Sequence, residues 1–269
     1  MSEKLGWKEF GKALLETEDL DPVYVMLHKA KLSEGRLRRF LLAYWFFYHV
    51  GVSAKLSDYK ESQFFDKAIR LAENGKGTPR GTERRHFRGE ACLKSLGYFK
   101  SHYNCPEEAV DHLIGECNDL EVSDVLKFCK RWPLFGPWIG FKIADMLERV
   151  AGVPISFPIK TLEMYDAPTQ GAALVAGQVG YLWSENQDDP APSTPEVVKY
   201  LIHKFRHYKA PPSYDRPVGV QEVETILCKW KSHLNGHYPV GKDSKEVREH
   251  LHGWGSLAES MIKYVPEAK

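Results

Sequence analysis

The sequence predicts an all-α fold, and three observations carry that reading. Apolar residues recur three and four positions apart over most of the chain, as in helices with one buried face. No segment of any length alternates apolar and polar at period two, as a half-buried strand would. Helix-start signals, a Pro or a short polar residue ahead of an apolar run, recur along it. With 269 residues, the chain suits a single helical domain over 1–269, or two lobes with a loop-rich segment at 152–195.

The elements follow in order. Residues 7–16 are amphipathic. Asp21-Pro22 opens a second helix, with Pro where its missing N–H is not needed. Residues 36–50, RLRRFLLAYWFFYHV, form a third that is basic at its start and apolar all round, so it belongs inside the fold. Its Tyr44, Tyr48 and His49 either pack in the core or line a pocket, because buried Tyr and His need polar partners. Residues 59–74 make another helix. In GKGTPRGTERRHFRG, residues 75–89, a Gly/Pro-broken loop precedes a helix expected from near Thr82. Helices follow at 90–103, 107–117 and 122–131. The run WPLFGPWIGFKIADMLERVAG, residues 132–152, passes from a broken turn into a helix. Ile139, Ile143, Leu147 and Val150 share one face there, and Lys142, Asp145, Glu148 and Arg149 lie off it. Between 152 and 192 the period is interrupted by Gly152, Pro154, Pro158, Pro168, Gly171, Gly177 and Gly180, and residues 185–195 read as an exposed loop. Thr194-Pro195-Glu196 opens a helix with Val197, Val198, Leu201, Ile202 and Phe205 on one face. Residues 219–235 form the next. Asp243 with Glu246 starts a final helical pair.

Composition narrows the function. The chain is 43% hydrophobic and 27% charged, which is globular, and its net charge of +1 means that any nucleic-acid binding must come from a local patch. Its aromatic content of 12% suits a core and also the stacking of bases. The five cysteines are odd in number and form no CxxC pair, so neither a disulfide framework nor a zinc site is indicated. The N-terminus carries no apolar signal core and no run reaches membrane-spanning length, so a cytoplasmic protein with no membrane partner is expected. No GxxxxGK[ST], HExxH, GxSxG or GxGxxG run occurs, which sets aside several common enzyme classes.

Two places carry chemistry. In 75–89, Lys76, Arg80, Arg84, Arg85 and Arg88 oppose the single acid Glu83, with His86 among them. Arginine forks grip phosphate oxygens in pairs, and a loop lets several converge; a solvated basic face would show the same composition. The turn at 132–138 opens a helix whose first N–H groups lack internal partners, which makes an anion site, although an ordinary turn and core helix would look alike.

That turn resembles the hairpin of helix-hairpin-helix DNA glycosylases, where a Leu-Pro-Gly-x-Gly-x-Lys-x-Ala-Asp run holds a DNA phosphate. Pro137, Gly140, Lys142, Ala144 and Asp145 match, and Trp138 replaces the first glycine. The resemblance implies a multi-helix glycosylase-like fold in which Gly136, Gly140 and Lys142 bind DNA. The catalytic Asp of those enzymes is missing from VPISFPIKT, residues 153–161, and Asp166 comes several residues late. The scaffold is therefore expected to have lost or replaced N-glycosidic chemistry.

Three stretches, TPRGTERRHFRG (78–89), GPWIGFKIADMLERV (136–150) and LCKWKSHLNGHYPVGKD (227–243), resemble the bacteriophage amino acid:DNA transferases, or α-glutamyl/putrescinyl thymine pyrophosphorylases. The resemblance implies replacement of the pyrophosphate of 5-(pyrophosphomethyl)uracil in phage DNA by an amine, an amino acid such as glycine or a polyamine, to give hypermodified thymine. The partners would be double-stranded DNA carrying the modified thymine and a free amine, met in the host cytoplasm. No cofactor is required, though a divalent metal could accompany the pyrophosphate. Arg80, Arg84, Arg85 and Arg88 would stabilise the departing charge, with His86 as proton donor. Asp145, Glu224, His233 and His237 are candidates to deprotonate the incoming ammonium. An extruded base would lie among Tyr44, Trp45, His49 and Trp138, with Lys231, His233 and Tyr238 also in the substrate-binding set. Cys228 is either a nucleophile for uracil C6, its thiolate favoured by Lys229, Lys231 or His233, or a core residue. A glycosylase or lyase of the helix-hairpin-helix superfamily, and a non-catalytic DNA-binding accessory protein, are the alternatives.

Overall fold

Main-chain hydrogen bonding is helical almost throughout the structure, a computed structural model that describes residues 4–75, 77–117, 121–164, 166–183 and 192–267. Among the described residues there are fourteen α-helices and no strand beyond two isolated bridges, Glu121 with Ser156 and Lys209 with Pro217. The all-α class is therefore as expected. Backbone contacts gather into two units. One holds Met26–Ser156 with Glu246–Val265; the other takes the chain up to Val25, Phe157–Lys245 and the residues from Pro266.

In the first unit, helix α3 (Glu34–Phe47) buries every residue from Phe40 to Phe47. The helix expected over 36–50 stops early because Tyr48 turns left-handed, with φ 49° and ψ 41°, and His49 then caps a new helix, α4 (Val50–Asp58). The turn is dictated by close packing at Gly51, where a Cβ would lie 2.0 Å from the His250 carbonyl and 2.4 Å from the Trp254 ring. Next come α5 (Phe64–Glu73) and α6 (Gly89–His102). The start expected near Thr82 is displaced: Thr82–Arg84 makes one 3-10 turn, and α6 begins only at Gly89, whose φ is +60°. The unit continues with α7 (Pro106–Glu116), α8 (Val122–Cys129) and α9 (Pro137–Arg149). Phe46 sits at its centre, stacked on Phe87 at 5.5 Å and edge-on to Phe99 at 4.8 Å. Helix α14 (Ser256–Met261) packs against α4.

In the second unit, α1 (Trp7–Glu16) packs on α12 (Val220–Leu234) and brings Gly11 against Phe205 of α11 (Thr194–Phe205). The Glu196 carboxylate accepts from the Ser193 N–H and hydroxyl, so the cap is one residue earlier than the sequence suggested. The stretch expected to be loop-rich contains a long helix, α10 (Asp166–Trp183). Its apparent breakers are compatible with a helix. Pro168 falls in the first turn, where the N–H has no partner to lose, and Gly171 lets α10 approach the Leu227 carbonyl, 2.6 Å from where a Cβ would stand. Most of the expected loop at 185–195 lies outside the described residues. Helices α2 (Pro22–Ala30) and α13 (Lys242–Leu251) begin in this unit and end in the other.

The glycines yield a paired prediction. Gly51→Ala overpacks rigid backbone and should cost about 2–3 kcal/mol, lowering the melting temperature by roughly 5–10 °C. Gly97→Ala, on an exposed face of α6 with nothing within 4 Å, should instead stabilise by up to about 1 kcal/mol. Thermal denaturation of both variants checks this.

Candidate active site

The basic segment divides into an anchored half and an exposed half. Arg84 turns inward, 7% exposed. Its Nε donates to the Phe46 carbonyl at the end of α3, at 3.2 Å, and its Nη1 to the Leu134 carbonyl, at 2.8 Å. The guanidinium lies over the rings of Phe87, at 4.6 Å, and Phe135, at 4.9 Å. Arg80 is also buried: Nε donates to the Phe87 carbonyl and Nη1 to that of Thr78, at 2.7 Å, with the Phe47 ring beneath. Neither has a carboxylate partner among the described residues, and Nη2 of each is buried without a hydrogen bond, as is the Thr78 hydroxyl. Burial pulls the Arg84 pKa down to about 10, so the group is still charged at neutral pH. Both guanidiniums lie near the Cys92 thiol, whose pKa burial nevertheless raises. Arg85, His86 and Arg88 are exposed. The five groups thus do not converge as one cluster; two hold the segment in place and three face solvent. Lys76 lies outside the described residues.

The anchored half runs beside an aromatic pair. A Cβ on Gly81 would stand 2.4 Å from the Tyr48 carbonyl and 2.9 Å from its ring, so the segment presses on Tyr48. Tyr48 meets Trp138 edge-on at 5.2 Å, and both are half-buried. Behind them Tyr44 is buried against Tyr48, at 4.5 Å, and Phe40, while Trp45 is fully buried. Of the four residues expected around a flipped base, Trp138 alone is accessible, and Tyr48 joins it. His49 is 3% exposed; its Nδ1 accepts the Val52 N–H, and it stacks on His250 at 4.0 Å. Its role is the α4 cap.

The hairpin is built differently from its sequence reading. Gly140 is a contact residue: its Cβ would sit 3.3 Å from Leu126 and 3.6 Å from Cys129, which is how α9 approaches α8. The supposed polar face of α9 is buried. Lys142, Asp145 and Arg149 are 7%, 0% and 7% exposed, with Asp145 3.7 Å from Lys142 Nζ and 3.8 Å from Arg149 Nη1. Lys142 is therefore turned to a carboxylate inside the fold, and Asp145 is an ion-paired interior residue. Gly136, at the start of α9, is exposed with open space around it.

A family model for amino acid:DNA transferases matches residues 7–238. The chain belongs to that family. The transferase is 40% identical to a glycinyltransferase of Pseudomonas phage PaMx11, over 98% of this chain and 97% of the relative. It is 32% identical to a putrescinyltransferase of Delftia phage PhiW-14, over 97% of this chain and 83% of the relative.

In the second unit, the transferase organises the stretch 227–243 around a residue that periodicity did not single out. Asp19 is fully buried and accepts four donors: the Gly241 N–H at 2.7 Å, the Ser244 N–H at 2.8 Å and hydroxyl at 2.7 Å, and the Tyr238 hydroxyl at 3.4 Å. Lys229 bonds the Asp19 carbonyl, at 2.8 Å, and the Asp243 carboxylate, at 2.7 Å. Tyr238 is consequently a buried structural residue, its ionisation pushed well up by burial and the nearby acids. His233 has both ring nitrogens engaged, Nε2 accepting the Leu5 N–H at 2.9 Å and Nδ1 donating to the Tyr238 carbonyl at 2.8 Å, so it is not free to act as a base. Lys231 reaches Gln170 at 2.8 Å. Cys228 donates to Glu224 Oε1 at 3.0 Å, and Glu224 also accepts from the Thr225 hydroxyl. The three cations expected to favour a Cys228 thiolate all have other engagements. The helix expected to start at Asp243 with Glu246 begins at Lys242, and Asp19 takes the Gly241 and Ser244 N–H groups at its start.

One trio of metal-ligand type occurs among the described residues, Glu61, Cys105 and Glu107, but Glu107 is ion-paired with Arg39. No helix among the described residues is long and apolar enough to cross a membrane.

Two outcomes are expected. Asp19→Ala strands four buried donors and should cost about 3–4 kcal/mol, read as a lowered urea midpoint. Burial, reinforced by His250, pulls the His49 pKa from 6.5 to about 3. A folded-state pKa below the unfolded one means stability present above pH 6.5 and lost as pH falls towards 3. The melting temperature should drop over that window, and His49→Asn, which keeps a capping acceptor, should flatten the acid limb.

Proposed function

We propose that the transferase replaces the pyrophosphate of 5-(pyrophosphomethyl)uracil in double-stranded phage DNA by an amine. The carrying observation is the charge of residues 78–89: two buried guanidiniums without carboxylate partners, the exposed Arg85, His86 and Arg88, and Gly81 packed on Tyr48, which meets the half-buried Trp138. In this reading the amine nitrogen bonds to the exocyclic carbon, the carbon–oxygen bond to the diphosphate breaks, and the ammonium proton passes to solvent or a base. Negative charge grows on the leaving oxygens, where Arg85 and Arg88 meet it and His86 can supply a proton. The extruded pyrimidine stacks on Trp138 and Tyr48. The reaction needs no cofactor, and a divalent metal would act only on the diphosphate.

Helices α8 and α9 with their turn serve as a helix-hairpin-helix-like element. Its phosphate contact comes from the main-chain N–H groups that open α9 after Gly136, since Gly140 and Lys142 face inward. Displacement is direct in this reading, with the Cys228 thiol donating to the Glu224 carboxylate. Glycine is the first amine to offer, the relative of that name being the more similar of the two.

The test is DNA bearing 5-(pyrophosphomethyl)uracil incubated with glycine, glutamate or putrescine. Released pyrophosphate and a nucleoside of the amine-adduct mass are expected. Arg85→Ala and Arg88→Ala should each lower kcat/KM by roughly tenfold to hundredfold with unchanged melting temperature, and Cys228→Ala should retain turnover. Abasic sites in place of adducts, or no product with any amine, would overturn the reading.

A further inference from the structure

We propose that Leu134 is a wedge that enters the DNA duplex beside the target thymine and fills the space the extruded base leaves. This rests on the base-extruding transferase reading above and assigns a residue that none of the sequence motifs singled out.

Three observations meet at this position. Leu134 is an aliphatic side chain 41% exposed, at the tip of the turn between α8 and α9. Its φ is +68°, a left-handed conformation that a branched side chain rarely adopts and that glycine would accept without strain. The surrounding backbone is clamped from inside. The Leu134 carbonyl takes the Arg84 guanidinium at 2.8 Å, the Pro133 carbonyl takes the Ser95 hydroxyl at 2.8 Å, and the Phe135 N–H bonds the Trp132 carbonyl at 3.2 Å. Trp132 and Phe135 are buried on either side, 2% and 4% exposed. The Arg84 bond serves the fold through the carbonyl alone; a strained backbone that keeps a leucine side chain in water, where glycine would suit the turn, points to a task for that side chain. Tyr214 is the contrasting case: it too is exposed at φ 58°, but its hydroxyl bonds Glu18 at 2.6 Å.

The occupant follows from the flanks. Lys130 is exposed just before the tip, as is Arg131, which is ion-paired with Glu116, and Arg85, His86 and Arg88 are exposed on the segment that Arg84 ties to it. An apolar point rimmed by cations fits a phosphate-lined duplex, whose base steps accept Leu as readily as other apolar wedges. Trp138, four residues on, would stack on the displaced pyrimidine while Leu134 holds its place.

The experiment compares Leu134→Gly and Leu134→Met with the unaltered chain. One substrate is duplex DNA with 2-aminopurine next to the modified thymine; the other is the same strand unpaired. For Leu134→Gly we expect an unchanged or raised melting temperature, a 2-aminopurine signal on binding reduced at least fivefold, and kcat/KM on the duplex lowered at least tenfold more than on the single strand. Leu134→Met should stay within threefold of the parent. Equal losses on duplex and single strand, or an unreduced 2-aminopurine signal for Leu134→Gly, would overturn the wedge. Failure of the transferase reading looks different: the unaltered chain would release no pyrophosphate from either DNA, while the 2-aminopurine signal would still judge Leu134.

Discussion

The guanidinium of Arg84 joins stretches of the first unit that are remote in sequence. It ties its own segment to the last turn of α3 through Phe46 and to the α8–α9 turn through Leu134. A charge in that interior carries a large desolvation penalty, offset here by two carbonyl dipoles and two aromatic faces, with no carboxylate to help among the described residues. Hydrogen bonds from a charged donor contribute about 1.5–3 kcal/mol each, and the two made here act against that penalty and against the unbonded Nη2. The exposed residues on either side of it inherit their positions. Gly81 can press on Tyr48, and Tyr48 can meet Trp138, because the segment is pinned three residues later.

The same division of labour recurs in other charged stretches of the chain. The Lys142–Asp145–Arg149 line stiffens α9 from inside, and the Asp19 carboxylate gathers residues 238–244 in the second unit. Much of the charge in these stretches is thus ionic scaffolding. Scaffold charges need not touch the amine. The groups that remain exposed, Arg85, His86 and Arg88, suit the diphosphate, which every such transfer in the proposed scheme would release.

What the sequence made legible was local. Helix class, and most helices to within a few residues, followed from periodicity and start signals that neighbouring residues alone determine. The errors arose where distant contacts decide. The 36–50 helix breaks because Gly51 must pass His250 and Trp254, and the helix expected from Thr82 is held back because Arg84 is drawn to two carbonyls far along the chain. Pro168 and Gly171 read as breakers but occupy a first turn and a close helix crossing. For the site, residue type was informative and direction was not. A lysine off an apolar stripe is expected in water, yet α9 is covered on nearly every side, so Lys142 had to find a buried carboxylate. Asp19 escaped notice because its partners lie more than two hundred residues away.

A chain of net charge +1 that acts on DNA has to make local charge effective. Exposed arginines lose much of their reach within a Debye length, about 8 Å at physiological salt. Buried ones do not, because low-polarity surroundings carry their field with little screening. Placing Arg80 and Arg84 beneath the segment without carboxylate partners would, in the proposed scheme, add positive charge that ions in solution screen less than they screen the exposed residues. The arrangement would weaken if either were paired with a carboxylate, even with every exposed residue intact. In the proposed scheme the two buried guanidiniums would therefore serve anion recognition without touching the anion, as well as holding the fold.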